Sequence, residues 1–146
     1  MAPLTDTVSV RIEAPADEVF AFMSDPERLD LWSFGTWKIT RREDGLIAGQ
    51  AIQTGARILV RISADPGRRL IDYHLGADPG ALRPRIFARI IPGETTGHDA
   101  ASSTLMLVAL RSADMDDARW DRLCHAHAFE ADLVKSLIES GYDHRI

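Results

Sequence analysis

The stretch Ile12-Glu13-Ala14-Pro15-Ala16-Asp17-Glu18-Val19-Phe20, followed by Ser24-Asp25-Pro26-Glu27-Arg28-Leu29 and Trp32, decides how the rest of the sequence is read. Ahead of it, Val8, Val10 and Ile12 alternate with Ser9 and Arg11, so Thr5 to Glu13 reads as a strand with one apolar face. Ala14-Pro15 ends the alternation. Proline suits the first position of a helix, because the N–H it lacks would be unpaired there. Asp17 and Glu18 then fall where the helix dipole favours negative charge, and Val19, Phe20, Phe22 and Met23 supply an apolar side. Asp25-Pro26 starts a second short helix, with Asp25 as N-cap and Pro26 first, running to about Leu31 or Trp32.

Beyond Gly35 the pattern changes to six runs that read as strands, near 36–42, 47–54, 56–63, 69–76, 83–91 and 102–111. Turn signals separate them: Asp44-Gly45, Gly55, Asp65-Pro66-Gly67, Asp78-Pro79-Gly80 and Pro92-Gly93. Ile58, Val60 and Ile62 oppose Arg57 and Arg61; Ile71, Tyr73 and Leu75 oppose Asp72 and His74; Ile86, Ala88 and Ile90 oppose Arg85 and Arg89. Strands with one apolar and one charged face make an antiparallel sheet covered on one side. Thr104 to Leu110 is apolar on both faces, so its inward face is open. Asp114 to Gly141 reads as a long helix with an acidic start and a glycine stop. Trp120, Leu123, Cys124, His127, Ala131, Val134 and Ile138 share one stripe of it. About 25 residues span roughly 37 Å, enough to cross the sheet.

The expected fold class is therefore α+β. A curved antiparallel sheet of about seven strands wraps a long C-terminal helix, with two short helices after the first strand, in a single domain over 1–146. The 146 residues are 45% hydrophobic and 27% charged, which excludes disordered and collagen-like classes. The single cysteine, Cys124, excludes an intramolecular disulfide framework. The N-terminus lacks the basic start and apolar run of a signal peptide, and no stretch reaches the length of a membrane helix. A cytoplasmic protein without stable membrane insertion is expected. Basic residues are 15 Arg and 2 Lys, a bias that reads as the codon habit of a GC-rich bacterium. The net charge of −5 divides into +4 over residues 35–111 and −9 elsewhere. That balance argues against a nucleic-acid partner.

The opening stretch resembles that of the START-like (SRPBCC) superfamily: a strand, a proline-started helix with a Val-Phe pair, then Asp-Pro and a downstream tryptophan. Pro66 with Arg68-Arg69-Leu70, Gly97 followed by Ser103-Thr104-Leu105, and Lys135-Ser136-Leu137-Ile138-Glu139 in the final helix resemble further elements of the pattern. The resemblance covers nearly the whole chain. It implies the helix-grip fold with an apolar cavity between sheet and C-terminal helix. Members of the family bind lipids and other small apolar molecules, act as polyketide cyclases and dehydratases, or engage other proteins, so fold alone does not choose among these.

Within that frame the candidate ligand-binding residues are Trp37, Tyr73, Cys124, His127, Ala131 and Val134. His127 lies mid-stripe, where a neutral imidazole could hydrogen-bond a ligand or act as a base; it is the best catalytic candidate, and a buried, structurally satisfied histidine is the competing reading. Tyr73 offers a ring with one polar tip, for a ligand or for a structural partner. Ala126, Ala128 and Ala131 around His127 read as room for a cavity or as close packing. Trp32 reads as a core anchor and Trp37 as a ligand contact, both near the expected cavity mouth. Glu130 reads as solvated. Asp72 and His74 share a strand face that reads as wet. Arg57, Arg61, Arg85 and Arg89 read as cross-strand partners of Asp72 and neighbouring acids, or as a docking face for an acidic partner. His125 and His127 are about 200° apart on the helix and cannot converge on one ion, so no metal is expected. No Gly-x-Gly-x-x-Gly, Walker or Gly-x-Ser-x-Gly pattern is present, so no cofactor is expected either. The leading expectation is a binder of a small apolar ligand carrying one or two polar groups. The alternatives are a cofactor-independent cyclase or dehydratase using His127, and a protein-interaction module; a homodimer is compatible with each.

Overall fold

In the computed structural model of the chain, residues 3–146 are described. Strand β1 (Thr5–Ile12) leads into helix α1 (Ala16–Ser24), a 3-10 turn at Pro26–Arg28 and the one-turn helix α2 (Leu29–Trp32). Strands β2 (Trp37–Arg41), β3 (Ile47–Gln50), β4 (Arg57–Asp65), β5 (Leu70–Gly76), β6 (Arg83–Pro92) and β7 (Ser103–Leu110) follow, and helix α3 (Asp117–Ser140) ends the fold. All seven strands form one antiparallel sheet in the order β1-β7-β6-β5-β4-β3-β2. This is the α+β architecture expected from the sequence.

Local chemistry explains most boundaries, with some corrections. Pro15 is the N-cap of α1 rather than its first residue, and Asp25 caps the 3-10 turn by accepting from the Glu27 N–H at 2.9 Å. Asp116, not Asp114, caps α3 by accepting from the Arg119 N–H at 2.7 Å. Gly141, at φ +71°, closes that helix in the left-handed region. Strand β3 is shorter than expected. The Gly55 N–H bonds the Ala51 carbonyl and turns the chain before Ile52 can join the ladder with β4. Gly93 leaves no room for a side chain, since an added Cβ would lie 2.2 Å from the Asp99 carbonyl oxygen.

Register settles the face of β7. Val8 pairs with Leu107 and Val10 with Leu105, so Leu105, Leu107 and Ala109 point inward with the apolar face of β1. The inner faces of β4, β5 and β6 carry Val60, Ile71, Tyr73, Ala88 and Ile90, packed with Val19, Met23, Leu29 and Trp32 from the short helices. The outer face is not bare, contrary to the one-sided covering expected. Leu46, Leu59 and Leu82 form a small second core there, because the 79–82 segment folds back over β4. The expected pairing of outer arginines with Asp72 does not occur either. Asp72 lies opposite Ser63 and Phe87, and none of Arg57, Arg61, Arg85 and Arg89 joins an ion pair among the described residues.

Candidate functional site

Helix α3 places an unusual pair of polar side chains against the sheet. His127 is 1% exposed, and its Nδ1 lies 2.9 Å from Oδ2 of Asp6. Asp6 stands on β1 in phase with Val8, Val10 and Ile12, so strand alternation itself turns its carboxylate inward. A carboxylate only accepts, so Nδ1 donates and the ring proton is committed there. In the neutral ring Nε2 then keeps its lone pair, and it is buried without a hydrogen-bond partner among the described residues. A buried polar atom left unpaired costs about 1–3 kcal/mol. The Asp6–His127 pair is thus an oriented imidazole with its free acceptor turned away from water.

Glu130, three residues on, is 8% exposed rather than solvated, which corrects the sequence reading. Its position, three residues after His127 and four before Val134, belongs to the same stripe. The carboxylate Oε2 accepts from the Phe34 N–H at 3.0 Å. Burial pushes its pKa up to about 8, against smaller lowering by the Phe34 N–H and the Ser33 hydroxyl. It therefore carries a proton at neutral pH. Phe34 also stacks on Phe129, ring centres 5.6 Å apart, and its carbonyl accepts from the Ile52 N–H at 2.9 Å. The segment after α2 is thereby tied to α3 on one side and to the 51–56 turn on the other.

Tyr73 and Trp32 meet edge to face at 5.7 Å on the inner side of the sheet. The Tyr73 hydroxyl donates to the Met23 carbonyl at 2.6 Å, and burial, with the Glu130 carboxyl nearby, holds its proton well above the usual tyrosine range. That geometry gives the hydroxyl proton a structural partner. Trp32 is 3% exposed, and its Nε1 has no hydrogen-bond partner among the described residues.

The other candidates fall in different places. Ala131 and Val134 are fully buried beneath α3. Ala128 points to solvent and Ala126 is half-buried, so only Ala131 of the three alanines leaves space on the inner side. Cys124 is partly buried beside Ala109, Met115 and Trp120, with its thiol held up by burial and by Asp6. Trp37 is not among this group. Its ring stacks on His144 at 6.4 Å, and the His144 Nε2–H donates to the Leu31 carbonyl at 2.8 Å. Arg145 secures the same tail on Asp30 at 2.8 Å. The inward residues Ile58, Leu75 and Ile86 are only partly buried, so the sheet is not fully covered at that end. A separate pocket of about 420 Å³ lies between α1 and the end of α3, lined by Phe22, Arg28, Leu137 and Tyr142 among others. Among the described residues no three His, Cys, Asp or Glu side chains gather as a metal site. No helix is long and apolar enough to cross a membrane.

Sequence signals pointed to His127 and Tyr73 but missed Asp6 and Glu130. Asp6 was legible as an acid in phase with three apolar residues of β1. Glu130 was legible from its spacing, but its charge argued for the surface.

No protein-family model and no curated protein matches the chain. Solved structures do. The Zhui aromatase/cyclase from Streptomyces aligns with TM-score 0.64 at 19% identity, over 92% of this chain and 93% of that one. A START superfamily protein from Mycobacterium smegmatis aligns with TM-score 0.64 at 14% identity, over 94% and 99%. The di-domain aromatase/cyclase BexL aligns with TM-score 0.66 at 21% identity, over 92% of this chain and 46% of that one, so the chain spans about half its length. At these identities the likeness is one of fold. With a seven-stranded antiparallel sheet closed by one long C-terminal helix, the chain has the START-like (SRPBCC) fold.

Proposed function

We propose that the chain binds a small, mostly apolar molecule bearing a polar group, held between the inner face of the sheet and α3. The observation that carries this reading is the free Nε2 of His127, an acceptor whose ring is fixed by Asp6 and almost fully buried. Partly exposed inward residues at the Ile58, Leu75 and Ile86 end supply an approach. Small-molecule binding is also what the START-like fold suggests. Because Nε2 is sealed, a guest reaches it only if a neighbouring side chain moves, so slow uptake is expected. Calorimetric titration with 2-naphthol tests the reading. Saturable binding is expected, weakened about tenfold in His127→Leu, equivalent to roughly 1.4 kcal/mol for one hydrogen bond. Equal binding by a folded His127→Leu protein contradicts it.

The Asp6–His127 arrangement favours a second reading, a cyclase- or dehydratase-like enzyme. A carboxylate that fixes the Nδ1 proton and frees Nε2 is the geometry of a general base, and two of the similar structures are aromatase/cyclases. His127 would take a proton from carbon beside a carbonyl. Exchange of the α-protons of 1-tetralone in heavy water, followed by NMR, tests this. Catalysed exchange that Asp6→Asn slows supports it, and exchange at the solvent rate removes it.

A further inference from the structure

The cavity between α1 and the end of α3 has a chemistry of its own. It holds about 420 Å³, and neither Asp6 nor His127 lines it. That volume falls within the roughly 300–1,000 Å³ of small-molecule sites. Its inner wall is apolar: Phe22 and Leu137 are buried and Ile138 is half-buried. Its rim is acidic, with the carboxylates of Glu18, Asp25 and Asp143 against the single guanidinium of Arg28. Asp25 pairs with Arg28 at 3.4 Å and Asp143 with Arg145 at 2.9 Å. Glu18 joins no ion pair among the described residues.

Helix α3 adds to the same polarity, because it ends at this cavity. The carbonyls of Ile138, Glu139 and Ser140 accept no hydrogen bond among the described residues, and a helix C-terminus carries partial negative charge. The chain itself shows what such surroundings hold. Arg28 lies over the Phe22 ring, 5.4 Å from its centre, with Asp25 beside it, a cation between an aromatic face and a carboxylate. Tyr142, 65% exposed, and Glu18 offer the same two elements, with no cation of the described residues over the Tyr142 ring.

We infer that this cavity binds a small organic cation, an ammonium on an apolar body. The ammonium sits at Glu18 and the end of α3, and the body lies against Phe22, Leu137 and the Tyr142 ring. An anion there would meet Glu18 and the helix carbonyls, and a neutral guest would leave the acidic rim unmatched. The site is independent of the binding proposed between the sheet and α3.

Three probes test this: 4-phenylbutylamine, 4-phenyl-1-butanol and 4-phenylbutyrate. Each is titrated into the isotope-labelled chain, with binding read from the backbone amide NMR signals of Gly141 and Tyr142. The amine is expected to move both signals and to bind about fivefold more tightly than the alcohol, a gap that added salt narrows. The butyrate should move neither. Glu18→Gln should bring the amine down to the affinity of the alcohol, and Tyr142→Leu should weaken the amine more than the alcohol. Both side chains are exposed, so neither variant empties the core. Equal affinities for amine and alcohol overturn the inference. So does an amine advantage that survives Glu18→Gln, or amine binding that leaves the two signals in place. Each of these results leaves 2-naphthol binding standing, and loss of 2-naphthol binding leaves this site standing.

Discussion

The two ends of the interior are built differently. Under α1, Ile12, Val19, Met23, Ile71, Ile90 and Leu105 are almost fully buried, and the hydroxyls of Tyr73 and Ser103 each donate to a backbone carbonyl. Elsewhere on the inner side Ile58, Leu75 and Ile86 keep some exposure, and His127 leaves an acceptor unused. Stability resides in the first region, where packing is close and the hydroxyls are paired, although the Trp32 indole N–H beside Tyr73 is not. The proposed binding is assigned to the second, where an acceptor is left unused.

The largest expected effect tests the division directly. Ile71→Ala should cost about 2–5 kcal/mol in urea unfolding, because it empties a site that cannot collapse. Ile86→Ala should cost roughly 1 kcal/mol, since that side chain already has open space beside it. Equal costs would dissolve the distinction between the ends.

A second test uses Glu130. Its pKa lies at about 8 in the folded chain against 4.5 for the free side chain, so the folded state holds the extra proton between those values. Stability must then fall as pH rises through that window, by on the order of 5 kcal/mol in all. Glu130→Gln keeps an acceptor for the Phe34 N–H and should flatten the dependence between pH 5 and 8. A wild-type stability that is level over that range contradicts the buried acid. The smallest effect is expected from Tyr73→Phe, which unpairs the Met23 carbonyl for about 1 kcal/mol and leaves binding of 2-naphthol unchanged.

The sequence made the fold legible because most of its signals are local. Pro15, Asp25, Gly55 and Gly141 stand at or next to real boundaries, and period-two alternation gave the inner faces of β4, β5 and β6. The site was only half legible, because its parts come together from distant segments. His127 stood out on its apolar stripe, but the Asp6 that orients it is 121 residues away. Glu130 was read by its charge when burial had already made it neutral. The tail contact that covers Trp37 could not be read from a strand pattern, since His144 belongs to no regular element.

The central claim is that Asp6 fixes the His127 proton on Nδ1 and leaves Nε2 free for a guest. Long-range proton–nitrogen NMR of the His127 ring reads both nitrogens at once. The account predicts a protonated Nδ1 and a bare Nε2, with the Nε2 signal moving toward the hydrogen-bonded position as 2-naphthol saturates the protein. A proton on Nε2 with a bare Nδ1, or an Nε2 signal that stays in place at saturation, would contradict it.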